Sequence, residues 1–580
     1  MNILKRLIPI LDWLPNYNGS KFRGDFVAGI TVAIVLVPQG IAYALIAGLP
    51  PIYGLYCALL PQVVYAVFGS ARQVAIGPVA MDSLIVATGV STMALAGSES
   101  YIAYAILLAL MVGFIQFFLG VFQLGFVVNF LSKPVITGFT SAVALTIGIN
   151  QFRNLFGVEF IQSDQVQYVI EDMWYNLIDF NTHTTIIGLS AVVIIMILKR
   201  IDRRIPNALI VVVLGILTVQ HSGVDFSDVD IVRDIPSGLP GFSIPELDFS
   251  LMQELLPIAL TLVMVGYLET ISIGKSLEAK QDEYRIRPNQ ELIALGLSNM
   301  AGSLFKSYPI ASSFSRSAIN AESGGKTGMA SLISAAIVLL TLLFLTPLFY
   351  HLPKTVLAAI IIVAVFGLVN VKEAVFLWRA NNLDFWLLLA TFLATLLLGI
   401  EYGIITGVGL SLIVLIYRTS RPYVVELGKV PNSNFYRNRE RFADVVVDDE
   451  VLVFRFDAQL FYANSSYFRD RLEALAEAKK GKLKLIVLDG ESINRVDSTG
   501  VEMLKERIRY YQKRNVLFYL AGIKGPVRDA LFRAKILDII DINHFFMRVN
   551  GAVNFYKTGD RENQKKYARY IYQSYEEIET

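Results

Sequence analysis

YPIASSFSRS, residues 308–317, places an arginine among serines inside an apolar part of the chain. A guanidinium at membrane depth is costly and usually faces a cavity or a countercharge. Arg316 therefore reads as a positive charge for an anion; the competing reading is an arginine that snorkels to the interface. Glu269, in MVGYLETISIGK, is a carboxylate in the middle of another apolar stretch. A carboxylate alone in a dry site takes up a proton, and one beside an arginine stays charged. Glu269 is thus a candidate to carry a coupling proton, and the alternative is a structural ion pair or a hydrogen bond to broken backbone. AIGPVAMDS, residues 75–83, is built like YPIASSFSRS: a proline, then small or polar residues, in an apolar setting.

These pieces need elements to position them. Each follows the start of a breaker-rich helix by about 40 residues, VPQGIAYALIA at 37–47 and VGYLETISIGKSL at 265–277. The spacing predicts two half-helices entered from opposite sides of a membrane. The first N–H groups of a helix lack partners, and the dipole leaves about +0.5 charge there. Two such ends facing each other form an anion site. Gly77 lets backbone approach a ligand, and Ser312, Ser313 and Ser315 offer hydroxyls. The alternative is that both pieces are loops between full helices.

The whole chain fits that setting. It has 580 residues, 54% hydrophobic and 17% charged, with net charge +2. Mean hydropathy is +0.53. Charge is sparse over the first 420 residues and crowded into the last 160. A polytopic membrane domain at 26–420 is expected, after an N-terminal segment at 1–25. An α/β domain at 440–557 and a polar tail at 558–580 follow. The small net charge gives no argument for a nucleic-acid partner. Cys57 is the one cysteine, which excludes an intramolecular disulfide, and His183, His221, His351 and His544 form no metal-ligand motif. No cofactor is expected. The charged N-terminus is followed by no small-residue cleavage site, so no signal peptide is expected.

Twelve apolar segments, from 26–47 to 402–418, approach the length that spans a bilayer. With the interrupted pieces near 77–93 and 311–322 they make fourteen crossings, arranged as an inverted repeat of seven plus seven. Basic clusters at Lys199, Arg200, Arg203 and Arg204, at Lys275, Lys280, Arg285 and Arg287, and at Arg418 and Arg421 read as cytoplasmic. The loops 153–183 and 221–256 carry Glu159, Asp164, Glu171, Asp172, Asp225, Asp228, Asp230 and Asp234 and read as external. Both termini then lie in the cytoplasm of a multi-pass protein of the cell membrane.

VPQGIAYALIAGLPPIYGLY, GSARQVAIGPVA and SFSRSAIN, with the C-terminal region, resemble the sulfate permease family over nearly the whole chain. That family includes plant and bacterial sulfate transporters, prestin and pendrin. The resemblance implies fourteen spans divided into core and gate, an elevator-like movement and a homodimer. Its motifs imply an anion site at Gln39 and Tyr43 of PQGIAY, Val79 and Ala80 of GPVA, and Phe314, Ser315 and Arg316 of SFSRS, beside Gly77. The chemistry is compatible: Gln39 has an amide N–H to donate, and Tyr43 lies on the same helical face. Asp82 departs from the family pattern, which has an apolar residue there. An acid in a first helical turn is favoured by the dipole, so capping is the expected role, with ion coupling the alternative.

In the C-terminal region VLVFRFDAQLFYAN, KLKLIVLD and NVLFYLAG are strand-like, and 465–479, 498–513 and 525–535 are helix-like. The alternation predicts an α/β domain. LDGESINRVDSTGVEML resembles the STAS domain, in which the residue matching Ser498 is a regulatory phosphorylation site in bacterial antagonists; a helix N-cap is the competing reading.

The expected function is secondary transport of an inorganic anion, sulfate first, by proton-coupled symport or exchange, with sodium as an alternative coupling ion. SFSRSAIN and LFYHLPKTVLAAIIIVAVFGL are more similar to the sulfate-transporting branches than to prestin. The rivals are a bicarbonate or dicarboxylate transporter on the same scaffold, and an uncoupled channel or voltage-driven motor. An enzyme is not expected: there is no nucleophile–base pair, and GGKTG at 324–328 lacks the GxxxxGK[ST] spacing of a phosphate loop.

Overall fold

The computed structural model describes residues 5, 7–126, 132–161, 163, 165–176, 180–201, 206–221, 228–279, 284–367 and 369–559. Asp164, Arg203, Arg204, Asp225, Lys280 and nearly all of the tail 558–580 lie outside the described residues, as does the side chain of His221. The chain divides into two compact units, Met1–Ser411 and Leu412–Thr580.

The first unit is helical. A helix stands at each of the fourteen expected places. Among the described residues nine helices are long and apolar enough to cross a membrane, and Ala80–Val90, Asn207–Gln220 and Asn382–Leu398 are shorter apolar ones. The helix Gly19–Ile46 starts at Asn18, whose side chain accepts the Lys21 N–H at 3.0 Å. It carries Pro38 within it, as Phe249–Glu278 carries Pro257. An interior proline removes one helical hydrogen bond, a cost that surrounding protein can absorb at membrane depth. The segment near 52–69 is broken into Pro51–Cys57 and Leu60–Phe68. A Cβ on Gly40 would lie 3.1 Å from the Gly54 carbonyl oxygen, and one on Gly54 would overlap the Gly40 carbonyl. The breakers of residues 37–56 thus let two backbones touch, as small residues do between membrane helices.

Among the described residues of this unit, two helices of ten residues or more fall outside the expected segments. Val166–Asn176 lies in the loop read as 153–183, and Val371–Ala380 follows the apolar helix Lys354–Phe366. Both mix polar and apolar residues, so a hydropathy scan passes over them.

The second unit is α/β. Six strands, β3 (Val424–Lys429), β4 (Tyr436–Asn438), β5 (Val451–Phe456), β6 (Leu485–Asp489), β7 (Leu517–Ala521) and β8 (Phe545–Phe546), order as β4-β3-β5-β6-β7-β8. β5 to β8 run parallel, and β3 is antiparallel to β5. The helices Ser465–Glu477, Ser498–Gln512 and Gly525–Arg533 connect the parallel strands, as alternation predicts. β3 pairs with the sheet from Val424, ahead of the expected start at 440, through a strand too close to the last apolar helix to stand out. Phe468 packs edge-on against Phe454 and Phe456, with ring centroids 4.9 and 5.0 Å apart, and all three are fully buried.

Asp489 ends β6 and is 8% exposed. Burial pushes its carboxyl up to about 6, although its Oδ1 accepts the Glu491 N–H. The folded pKa exceeds the unfolded one, so the protonated group's contribution is complete below about pH 4 and is lost as pH rises through about 6. Asp489→Asn should therefore raise the melting temperature of this unit at pH 7.5, by up to roughly 3 kcal/mol in stability, and match wild type near pH 4. Calorimetric melting of the full chain across that range checks it; a difference independent of pH would remove the titration argument.

Candidate anion site

Two short strands organise the centre of the first unit. β1 (Ile76–Gly77) and β2 (Ala311–Ser312) pair antiparallel, with Ile76 opposite Ser312 and Gly77 opposite Ala311. The Ser313 N–H extends the ribbon to the Ala75 oxygen at 3.0 Å, and the Ala75 N–H donates to Ser317 Oγ at 2.9 Å. Each strand leads directly into a short helix, Ala80–Val90 after β1 and Phe314–Glu322 after β2. The helix N-termini meet at the ribbon, and the helices run on from its opposite ends. The ladder bonds satisfy backbone groups that hydrocarbon could not.

Arg316 ties the parts together. It is fully buried. Its Nη1 donates to Gln39 Oε1 at 3.2 Å and its Nη2 to the Pro78 oxygen at 2.9 Å, while Nε is buried without a partner. The guanidinium therefore links the helix Gly19–Ile46 to the entry of the first half-helix. The snorkelling alternative is removed. Because Gln39 accepts with its oxygen, its amide NH₂ is the end that can donate onward. Tyr43 lies one turn along, 5% exposed like Gln39.

Gly77 has φ +147°, a backbone region where side chains are strained. A Cβ there would sit 3.4 Å from Arg316 Nη2 and from Leu36 Cδ1. The close approach expected of Gly77 is thus made to Arg316. Ser312 and Ser313 are also differently employed: Ser312 hydrogen-bonds the Thr270 hydroxyl, and Ser313 Oγ accepts the Arg316 N–H at 3.4 Å. Ser315 and Phe314 are exposed, Val79 is half-buried and Ala80 is buried. The accessible rim is therefore Val79, Phe314 and Ser315, with the charge beneath it.

Asp82 stands in the first turn of Ala80–Val90 but caps nothing: Val79 is the N-cap residue and makes no side-chain cap bond. Asp82 is 2% exposed, and its Oδ1 has no hydrogen-bond partner. Its Oδ2 lies 3.7 Å from where a Gly266 Cβ would be, one turn from Glu269 on Phe249–Glu278. Glu269 is half-buried, and its Oε2 has no partner. It is near enough to be repelled by Asp82 and attracted by Arg316, yet Arg316 gives its hydrogen bonds to Gln39 and Pro78. The ribbon therefore brings Gln39, Tyr43, Gly77, Asp82, Glu269 and Arg316 to one place.

Other polar groups that hold the ribbon were not singled out by the sequence. Asn299, fully buried, accepts the Ile310 N–H at 2.9 Å and donates to the Ile310 oxygen at 3.2 Å, as a strand would. It also donates to Gln116 Oε1 at 3.1 Å. Glu291, also fully buried, accepts from the Ser70 N–H and Oγ and the Ala71 N–H at 2.7, 2.6 and 3.0 Å, and from Tyr65 Oη at 2.5 Å. It fixes the segment that leads into β1. Their only signal was a polar residue in an apolar helix. The GGKTG turn has a similar use: Asp25 accepts the Lys326 and Thr327 N–H groups at 2.6 and 3.0 Å. Those donors cradle a carboxylate of the chain itself.

Ser498 belongs to the second unit. Asp497, not Ser498, is the N-cap there, with Oδ1 accepting the Gly500 N–H at 2.8 Å and Oδ2 the Tyr462 N–H at 3.0 Å. Ser498 is exposed on the first turn.

Comparison with known proteins accounts for both units. Residues 22–391 match the sulfate permease family and residues 442–552 the STAS domain. The chain is 38% identical over 567 residues to sulfate transporter 4.1, chloroplastic, of Arabidopsis thaliana, covering 94% of this chain and 82% of that one. It is 33% identical to high affinity sulfate transporter 2 of Stylosanthes hamata, over 95% and 87% of the two chains. Among solved structures, the murine solute carrier 26 family member A9 anion transporter in its inward-facing state superposes with TM-score 0.88 at 27% identity, over 96% of this chain and 94% of that one. With a helical membrane unit, a STAS domain and this likeness over nearly its full length, the chain belongs to the sulfate permease family, whose members are transporters and not enzymes.

Proposed function

We propose that the protein is a secondary transporter of inorganic anions, with sulfate as its substrate and a proton as its coupling ion. The observation that carries this reading is the ribbon β1–β2, which joins two helix N-termini over the buried Arg316. Helix dipoles and a guanidinium add the same sign of potential at one place, which an anion can neutralise. The sulfate transporters among its relatives favour sulfate as that anion. Gln39 and Tyr43 wall the site, Val79, Phe314 and Ser315 form its rim, Ala80 is buried at the start of its helix, and Gly77 allows the ribbon to close on Arg316. Glu269 and Asp82, each with a buried unpartnered oxygen, are the proton carriers in this reading. We further read the membrane unit as fourteen crossings in a seven-plus-seven repeat within 26–420, working as a homodimer by an elevator-like movement, with both termini cytoplasmic.

Arg316→Ala should weaken sulfate binding by at least about tenfold, since a hydrogen bond to a charged group is worth roughly 1.5–3 kcal/mol. Sulfate-dependent thermal stabilisation of the purified protein reads this directly. Wild-type affinity in a variant that still folds would move the site elsewhere.

Glu269→Gln keeps the shape and removes the titration. The variant should still bind and exchange sulfate in proteoliposomes but lose accumulation driven by an inward proton gradient. Full proton-driven accumulation would make Glu269 structural and leave Asp82 as the carrier. Accumulation that follows a sodium gradient instead would replace the coupling ion.

A further inference from the structure

The second unit contains an open cavity of about 700 Å³ whose lining includes none of the candidate anion-site residues. All its lining residues lie within that unit. One wall is formed by the loops that follow β5 and β6, including Gln459 and Arg495. Ligands of open α/β sheets characteristically sit at these carboxyl ends of parallel strands. The other wall is the chain leaving the helix Ile400–Ser420, including Arg418 and Arg421.

The charge of the lining is one-sided. Arg418, Arg421 and Arg495 all contribute to it. Its carboxylate, Asp457, is already held by Arg455 through bonds of 2.6 and 2.9 Å. Arg421 lies over the Tyr417 ring at 5.2 Å from its centroid, which orients the guanidinium at the rim. The helix Ser465–Glu477 starts at the cavity, and its N-cap residue Asn464 makes no side-chain cap bond. Asn464 instead donates to the Thr419 and Gln459 oxygens at 3.3 and 2.9 Å, which joins the two walls. The dipole of that thirteen-residue helix adds positive potential to the three guanidinia.

The size and charge suit a phosphate ester, and the position says where one could come from. Tyr402–Ser420 is apolar enough to cross a membrane, so Arg418 and Arg421 stand where a span meets headgroups. We propose that this cavity binds the phosphorylated headgroup of an anionic lipid, with Arg421 and Arg495 gripping the phosphate from opposite walls. The same chemistry would accept a soluble phosphate ester, and the test separates the two.

The probe is a fluorescent phosphatidylinositol phosphate titrated into the full chain in phosphatidylcholine nanodiscs, with soluble inositol phosphate as competitor. Saturable binding should weaken about tenfold in Arg421→Ala and in Arg495→Ala and should fall with added salt. Lys513→Ala, an exposed residue outside the cavity, should leave it unchanged. The three side chains are exposed, so the variants should keep the wild-type melting temperature. Binding that is preferred to soluble inositol phosphate assigns the site to lipid; equal competition assigns it to free phosphate esters. Binding that both arginine variants retain, or that phosphatidylcholine alone matches, would overturn the proposal.

Discussion

A fully buried guanidinium keeps its charge and cannot be left without acceptors, and the centre of the membrane unit is arranged around that requirement at Arg316. Gln39 and the Pro78 carbonyl supply acceptors from two separate stretches of chain. Pro78 can present its carbonyl because β1 has already turned the chain at Gly77, whose φ of +147° suits glycine. The half-helix that carries Arg316 starts from β2, which pairs with the same β1. One charge thus fixes the relative placement of two half-helices and a long helix.

The ribbon in turn needs support, because two residues per strand make a weak sheet alone. Asn299 substitutes for a third strand beside Ile310, and Glu291 gathers three donors from Ser70 and Ala71. Both are buried polar groups whose hydrogen bonds are nearly all to backbone or hydroxyls, so they are satisfied without a counter-ion. Glu291 and Asp25 both accept from backbone N–H groups. The orphan oxygens of Asp82 and Glu269 stand out against this background, since the surrounding carboxylates are well provided for.

Much of this was legible in the chain. The breakers at Pro38, Gly40, Gly77 and Pro78 pointed to irregular backbone inside membrane, and the matched pieces at 75–83 and 308–317 pointed to paired half-helices. Arg316 stood out because arginine is so costly there. The roles of its neighbours were less visible. That Ser312 and Ser313 serve Thr270 and the helix cap, and that Asp82 caps nothing, depends on which way side chains turn once β1 meets β2. Asn299 was unreadable because a buried asparagine in LSNMAG has no sequence mark until the strand it clamps is known. In the second unit the central strands announced themselves as apolar runs, but β3 took its place through pairing with β5, and the short β8 through pairing with β7.

Charge balance connects the site to its proposed coupling. Two helix N-termini and Arg316 put positive potential at the ribbon, and Asp82 and Glu269 are the carboxylates set against it. In the proposed transport of sulfate, a divalent anion would add negative charge beside the buried Asp82 and Arg316. Repulsion then raises the cost of keeping both carboxylates ionised, because like charges in a dry site disfavour one another. In the proposed symport, proton uptake at Asp82 or Glu269 would relieve it, since Asp82 Oδ1 and Glu269 Oε2 have no hydrogen bond to surrender. Arg316, held by Gln39 and Pro78, stays charged throughout and remains the fixed reference. In that proposal anion entry and protonation would favour each other as a matter of electrostatics, the reciprocity a symporter requires.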